Sequence, residues 1–140
     1  CQIESREHCL KIAEFLVGLV KELPVSFIFK SSSNALPDGR DPMLESGLST
    51  YYYNSFSKPV AHFVQSTLLQ HTQLSDYGIL YDSLHICRLT QCPSLLLELG
   101  FLTNPDDAEK CLDPKHRQQM VNALAITIRR YRLWLLGMTS

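Results

Sequence analysis

The chain has 140 residues, 45% of them hydrophobic and 19% charged, with a net charge of -1. That length suits one domain with a real core, and the composition is that of an ordinary globular protein, not a disordered one. The near-neutral balance leaves no nucleic-acid footprint. The longest apolar run is broken by Lys11, Glu14, Lys21 and Glu22, so it cannot span a bilayer.

The chain opens on Cys1 rather than Met, which reads as a fragment in preference to a lipid-modified N-terminus. Residues 6–22, REHCLKIAEFLVGLVKE, bring Leu10, Ala13, Leu16 and Val20 to helical spacing, with Ser5 as N-cap. Pro24 ends that helix, and VSFIF at 25–29 reads as a strand. Residues 30–46 are a polar loop rich in Ser, Asn, Pro and Gly. GLSTYYY, 47–53, is a second strand. SKPVAHFVQSTLLQ, 57–70, is a helix with Ser57 as cap and Pro59 in its first turn, where a missing N–H does no harm. Its apolar face is Val60, Phe63, Val64, Thr67 and Leu68.

A polar turn ending at Tyr77-Gly78 comes next, then SLHICRL, 83–89, read as a strand. PSLLLEL, 93–99, is a short continuous apolar run, the pattern of a central strand covered on both faces. PDDAEKCL, 105–112, has two acids in its first turn, which suits a helix N-terminus. Residues 114–137 form the longest helix, with Met120, Leu124, Ile128 and Tyr131 facing the core and Gly137 as its stop. Strands alternate with helices, so the expected class is α/β: one domain, a mostly parallel sheet and helices on both faces.

Five cysteines, with no CxxC pair and an odd count, read as buried free thiols. His8, His62, His71, His85 and His116 show no i, i+4 pair of the HExxH kind. Each reads as a surface or core residue. His85 is the one to watch, because it falls on the strand expected beside that of Glu98. Ser31-Ser32-Ser33 lacks a nucleophile elbow and reads as loop. The Tyr51-Tyr52-Tyr53 run reads as strand packing, with sugar stacking as the alternative. Arg129, Arg130 and Arg132 read as a solvated helix end, with an anionic wall polymer or a membrane as the alternative contact.

Glu98 is the residue that asks for an explanation. It ends an apolar run with no cation near it in sequence, and an unpartnered buried carboxylate is costly. In open α/β sheets, sites form outside the carboxyl ends of strands. From the residues alone, Glu98 is either a general base or metal ligand, or a strand-end acid facing solvent or an arginine.

The segment ICRLTQCPSLLLELGFLTNPDDAEKCLDP resembles the C-terminal signature of the zinc-dependent N-acetylmuramoyl-L-alanine amidases, a cell-wall amidase family. The matching residues are Ile86-Cys87-Arg88, Pro93, and Leu96-Leu97-Glu98-Leu99-Gly100-Phe101-Leu102-Thr103-Asn104. Upstream, ESGLSTYYYN is similar to the family's Gly-x-x-x-Tyr-Tyr segment, and the resemblance covers about residues 45–135. It implies an amidase-like catalytic domain over residues 1–140 with an incomplete or diverged N-terminal part. It also implies one Zn²⁺ held by two His and one Glu, with water in the open position. The implied reaction cuts the amide between N-acetylmuramic acid and L-alanine of the stem peptide. Glu98 is the implied proton-transfer residue.

The implied ligand set is only partly met. The first His would precede Cys1. The Glu ligand is best matched by Glu4, with Glu7 and His8 nearby. Alignment on Asn34 puts Ser32 at the second His position, and a hydroxyl is a poor zinc ligand beside imidazole. The alternative expectation is therefore an inactive amidase-fold module that binds peptidoglycan or regulates a wall enzyme. Either way the implied partner is peptidoglycan and the implied location is the cell envelope.

Overall fold

The computed structural model describes residues 44–138. The expected helix at 6–22 and strand at 25–29 lie outside them. Within them the order is β1 (Leu48–Tyr52), α1 (Lys58–His71), β2 (Asp76–Tyr81), β3 (Leu95–Glu98), α2 (Pro105–Leu112) and α3 (Pro114–Leu135). The class is α/β, with helices around a small sheet of strand order β2-β1-β3. The β1–β2 pairing, joined through α1, is parallel, and the β1–β3 pairing is antiparallel. Both expected strands, 47–53 and 93–99, are present, each shorter by a residue or more at its ends.

The pleat of β1 divides its residues between two environments. Leu48 belongs to the core with Leu68, Leu74, Met120, Ala123 and Leu124, and Leu97 of β3 packs on the same cluster. Ala123 is fully buried, and its small side chain lets α3 pack closely there. Thr50, on the same face as Leu48, meets Gln65 of α1: its hydroxyl donates to Oε1 at 2.6 Å. The Gln65 amide donates in turn to the Leu48 carbonyl at 2.8 Å and to Asp76 Oδ1 at 2.7 Å. One buried amide thus fastens α1 to two strands. Its polarity hides it from any reading based on apolar spacing.

Three local expectations change. Asp76–Tyr81 is a strand, not the end of a turn. Asp76 and Gly78 look like turn residues, but a bulge opposite Leu48/Ser49 absorbs the extra residue there. Residues 83–89 are not a strand: His85–Arg88 is a 3-10 turn. Its carbonyls are already engaged, since the Asn54 amide donates to Cys87 O at 3.3 Å and Leu89 O at 2.6 Å. Arg88 folds back to the Ser83 carbonyl at 2.7 and 3.0 Å, which closes the turn further. Finally, β3 is half-buried along its length and sits beside β1, so among the described strands β1 is the covered one.

Of the expected helix ends among the described residues, Gly137 holds and Ser57 does not act as a side-chain cap. Asn104 caps α2 through Asp106 N and Asp107 N, and Asp113 caps α3 through Lys115 N and His116 N. Gly137 ends α3, with the Met138 N–H returning to the Leu133 carbonyl at 2.9 Å. Ser57 does not cap α1 with its side chain. Its hydroxyl accepts from Ser94 N at 3.2 Å and ties the helix start to the segment entering β3. Cys87, Cys92 and Cys111 are free thiols, as expected, and burial pushes the Cys87 and Cys111 thiols upward. Cys1 and Cys9 lie outside the described residues.

Candidate active site at the end of β3

Glu98 is the last residue of β3 and pairs with Ser49 across the antiparallel ladder. Alternation places Ser49 and Tyr51 of β1 with Leu96 and Glu98 of β3, on the face away from Leu48, Thr50 and Leu97. Glu98 is half-buried. Its hydrogen bond among the described residues is a long one, from Ser49 Oγ to Oε2 at 3.4 Å. Among the described residues the carboxylate is held in place yet lightly engaged, with lone pairs left for chemistry.

Tyr51 lies diagonally across from Glu98 and senses it. Its phenol is pushed up to about 12, first by burial and then by the Glu98 charge, with Tyr77 and Asp82 adding to it. Tyr51 therefore stays a neutral hydrogen-bond donor across the whole physiological range. The Tyr77 ring meets Phe101 at 4.9 Å, so the bulged start of β2 reaches the turn that follows Glu98.

That turn is fastened by a second carboxylate. Asp107 is 1% exposed. It accepts from Phe101 N at 2.9 Å, from Gly47 N at 2.9 Å and from Ser46 Oγ at 2.9 Å. The chain leaving β3 and the chain entering β1 are thus clamped to one side chain. Two glycines make the clamp possible. Gly100 has φ +143, and a Cβ there would stand 3.2 Å from Asp107 Oδ2; Gly47 has φ +113, and a Cβ there would stand 2.3 Å from the Ser75 carbonyl oxygen.

Sequence reasoning singled out Glu98 and missed Asp107. The one local signal was its position three residues after the cap Asn104, where an acid commonly reaches back to the preceding backbone. Its partners Ser46 and Gly47 are 61 and 60 residues away, beyond any local pattern.

The histidines do not converge on Glu98. His62, His71 and His85 are exposed. His85 is not on a strand beside Glu98. Its 3-10 turn is tied to Asn54, past the opposite end of β1. His116 is buried at the start of α3, and its Nε2 has no hydrogen-bond partner there. Burial and then Lys110 lower its pKa, so it is neutral near pH 7. It lines an open cleft of about 510 Å³ with Gln73, Glu109, Lys110 and Gln119, and Glu98 is not in that lining.

A catalytic zinc needs three protein ligands of the His or Glu kind. Among the described residues no cluster of three or more His, Cys, Asp or Glu is placed to hold a metal ion. The described residues do not fit a zinc site by themselves. Glu4 and Ser32 lie outside them.

A profile of the N-acetylmuramoyl-L-alanine amidases matches residues 33–130. The chain is 32% identical to the uncharacterized protein YqiI of Bacillus subtilis over 90 residues, which is 61% of this chain and 44% of that one. It is 29% identical to the probable cell wall amidase LytH of Staphylococcus aureus over 85 residues, 61% of this chain and 29% of that one. It therefore spans less than half the length of these relatives. An N-acetylmuramoyl-L-alanine amidase of Clostridium difficile 630 superposes with a TM-score of 0.60 at 30% identity, covering 70% of this chain and 53% of that one. The catalytic domain of the amidase CwlV from Bacillus (Paenibacillus) polymyxa has a TM-score of 0.68 at 22% identity, over 95% of this chain and 85% of that one, a likeness of fold. On the family profile, which covers more than half of its length, the chain belongs to the N-acetylmuramoyl-L-alanine amidase family, a family of peptidoglycan amidases.

Proposed function

We propose that this chain contributes the proton-transfer half of a peptidoglycan amidase site, with Glu98 as its catalytic residue. The bond cut is the amide between N-acetylmuramic acid and L-alanine of the stem peptide. Residues 1–140 are read as an amidase-like catalytic domain whose N-terminal part is incomplete or diverged. Its place of action is the cell envelope, where peptidoglycan lies.

Amide hydrolysis asks one group to accept a proton from water and then to deliver it to the departing amine. A carboxylate serves both steps when it is held firmly but not consumed by other bonds. The carrying observation is Glu98 itself: half-buried at a strand end, touched at 3.4 Å by Ser49, and set between a ladder and a clamped turn. Tyr51 offers a neutral donor on the same face. Such a donor suits the oxygen on which charge develops.

Zinc is the family's cofactor, and the described residues do not supply a full ligand set for it by themselves. Glu4 is the nearest candidate in sequence, while Ser32 takes the position of a ligand histidine. That serine favours a second reading, an inactive module that binds peptidoglycan or regulates a wall enzyme. Purified full-length protein separates the two. Stoichiometric zinc by elemental analysis, with release of stem peptides bearing free L-alanine amines, supports the enzyme. Protein without zinc that co-sediments with peptidoglycan and releases no peptide supports the module.

A further inference from the structure

We propose that the C-terminal tip of α3 docks the domain on a bilayer surface rich in anionic lipid. The packed part of α3 ends at the half-buried Tyr131, and every residue from Arg132 to Met138 is exposed. Past Arg132 the end of the helix is apolar. Leu133, Trp134 and Leu135 are consecutive and at 100° per residue spread over more than one side of the helix, and the C-cap Leu136 follows them. Their exposures are 43%, 47%, 57% and 60%, and Met138 beyond them is 62% exposed. Trp134 leans on Tyr131 at 5.7 Å and Phe63 at 6.4 Å, which roots the tip in the body of the protein.

One turn back, Arg129, Arg130 and Arg132 spread over the solvent side of the helix. Arg130 reaches Gln70 of α1 at 3.4 Å and stays exposed. No Asp or Glu occurs after Asp113, although the chain as a whole carries a net charge of -1. This helix therefore carries cations with no carboxylate among them, and the family match ends at residue 130, before the apolar tip.

This arrangement selects its occupant. A cationic collar calls for an anionic surface. A soluble wall polymer supplies the charge but no apolar phase for five exposed apolar side chains. A protein groove takes one stripe of a helix, not more than one side of it. An anionic bilayer supplies both: headgroup phosphates at the level of the arginines, and an apolar boundary for the leucines and the tryptophan.

Trp134 is the chain's single tryptophan, so its emission reports on the tip directly. The full chain is titrated with vesicles of phosphatidylcholine alone and of phosphatidylcholine mixed with phosphatidylglycerol, at low and high salt. The proposal expects a blue shift and protection from iodide quenching with the anionic vesicles only, weakened by salt. Neutralising the collar (R129Q/R130Q/R132Q) lowers partitioning on the order of 100-fold. Leu133→Ser with Leu136→Ser lowers it by at least about tenfold. Far-UV circular dichroism checks that each variant keeps its fold. Emission unchanged at saturating anionic vesicles overturns the proposal, as does equal binding by the collar variant. A blue shift that grows with protein concentration without vesicles also overturns it, because the tip then pairs copies of the chain. Trp134 already shielded from iodide in vesicle-free protein overturns it too, because the tip is then covered from within.

Discussion

Asp107 and Glu98 are both carboxylates beside the same turn, yet they are treated in opposite ways. Asp107 is 1% exposed and takes 2.9 Å bonds from two backbone amides and one hydroxyl. Glu98 is half-buried and, among the described residues, takes one long contact from Ser49. The first charge is spent on holding the backbone; the second is left available. A carboxylate whose lone pairs are taken by three donors has little left to offer a substrate or water, so fixing the turn and moving a proton call for two different residues.

The largest break in this comparison comes from Asp107→Ala. It strips the Gly47 and Phe101 amides of their acceptor in a buried place, and should cost roughly 3–5 kcal/mol. A denaturant midpoint that falls with an unchanged slope reads this out. Asp107→Asn keeps an acceptor oxygen and the shape, and should cost roughly 1–3 kcal/mol. Gly47→Ala attacks the same clamp from the backbone, since its Cβ meets the Ser75 carbonyl at 2.3 Å in a left-handed conformation. Its expected cost is about 2–4 kcal/mol in the same titration.

The far end of the sheet provides the contrast. There Tyr81 stacks on Tyr53 at 5.5 Å and edges Tyr52 at 5.7 Å, while 65% exposed. Tyr81→Ala should cost only about 1 kcal/mol and leave peptide release unchanged. A smaller effect still sharpens the Glu98 geometry. The Tyr51 phenol sits at about 12 in the folded protein, above its ordinary value of 10.0. A raised pKa means that this contribution to stability is complete below pH 10 and is lost as pH rises toward 12. Glu98→Gln removes the second cause of that shift, so Tyr51 should ionise at a lower pH, though still above 10 because burial remains. Tyrosinate absorbance followed against pH, with Tyr51→Phe to assign the signal, measures it.

What the sequence made legible was whatever a short window contains. The apolar spacing of residues 57–70 and 114–137 gave the two long helices, and the cap Asp113 stands at the start of the second. The run ending in Glu98 is a strand. The misses all depend on partners far along the chain. Residues 85–88 curl where Asn54, more than 30 residues away, takes the carbonyls of Cys87 and of Leu89 just past the turn. Residues 76–81 form a strand because β1 supplies a ladder and a bulge accommodates Gly78. Gln65 and Asp107 look like surface residues until their partners at Thr50, Asp76 and Gly47 come into contact with them. Glu98 was legible only because it sits inside a contiguous motif, and no spacing among the described histidines offered a metal cage to go with it.

The most direct test compares stem-peptide release from peptidoglycan by the full-length protein and its Glu98→Gln variant. Because Glu98 is lightly held, the substitution should change stability by no more than about 0.5 kcal/mol, so a folded variant can be assayed. The account predicts a loss of release on the order of 10²–10⁴-fold with zinc content unchanged. Release by the folded Glu98→Gln variant at the rate of the parent would contradict it.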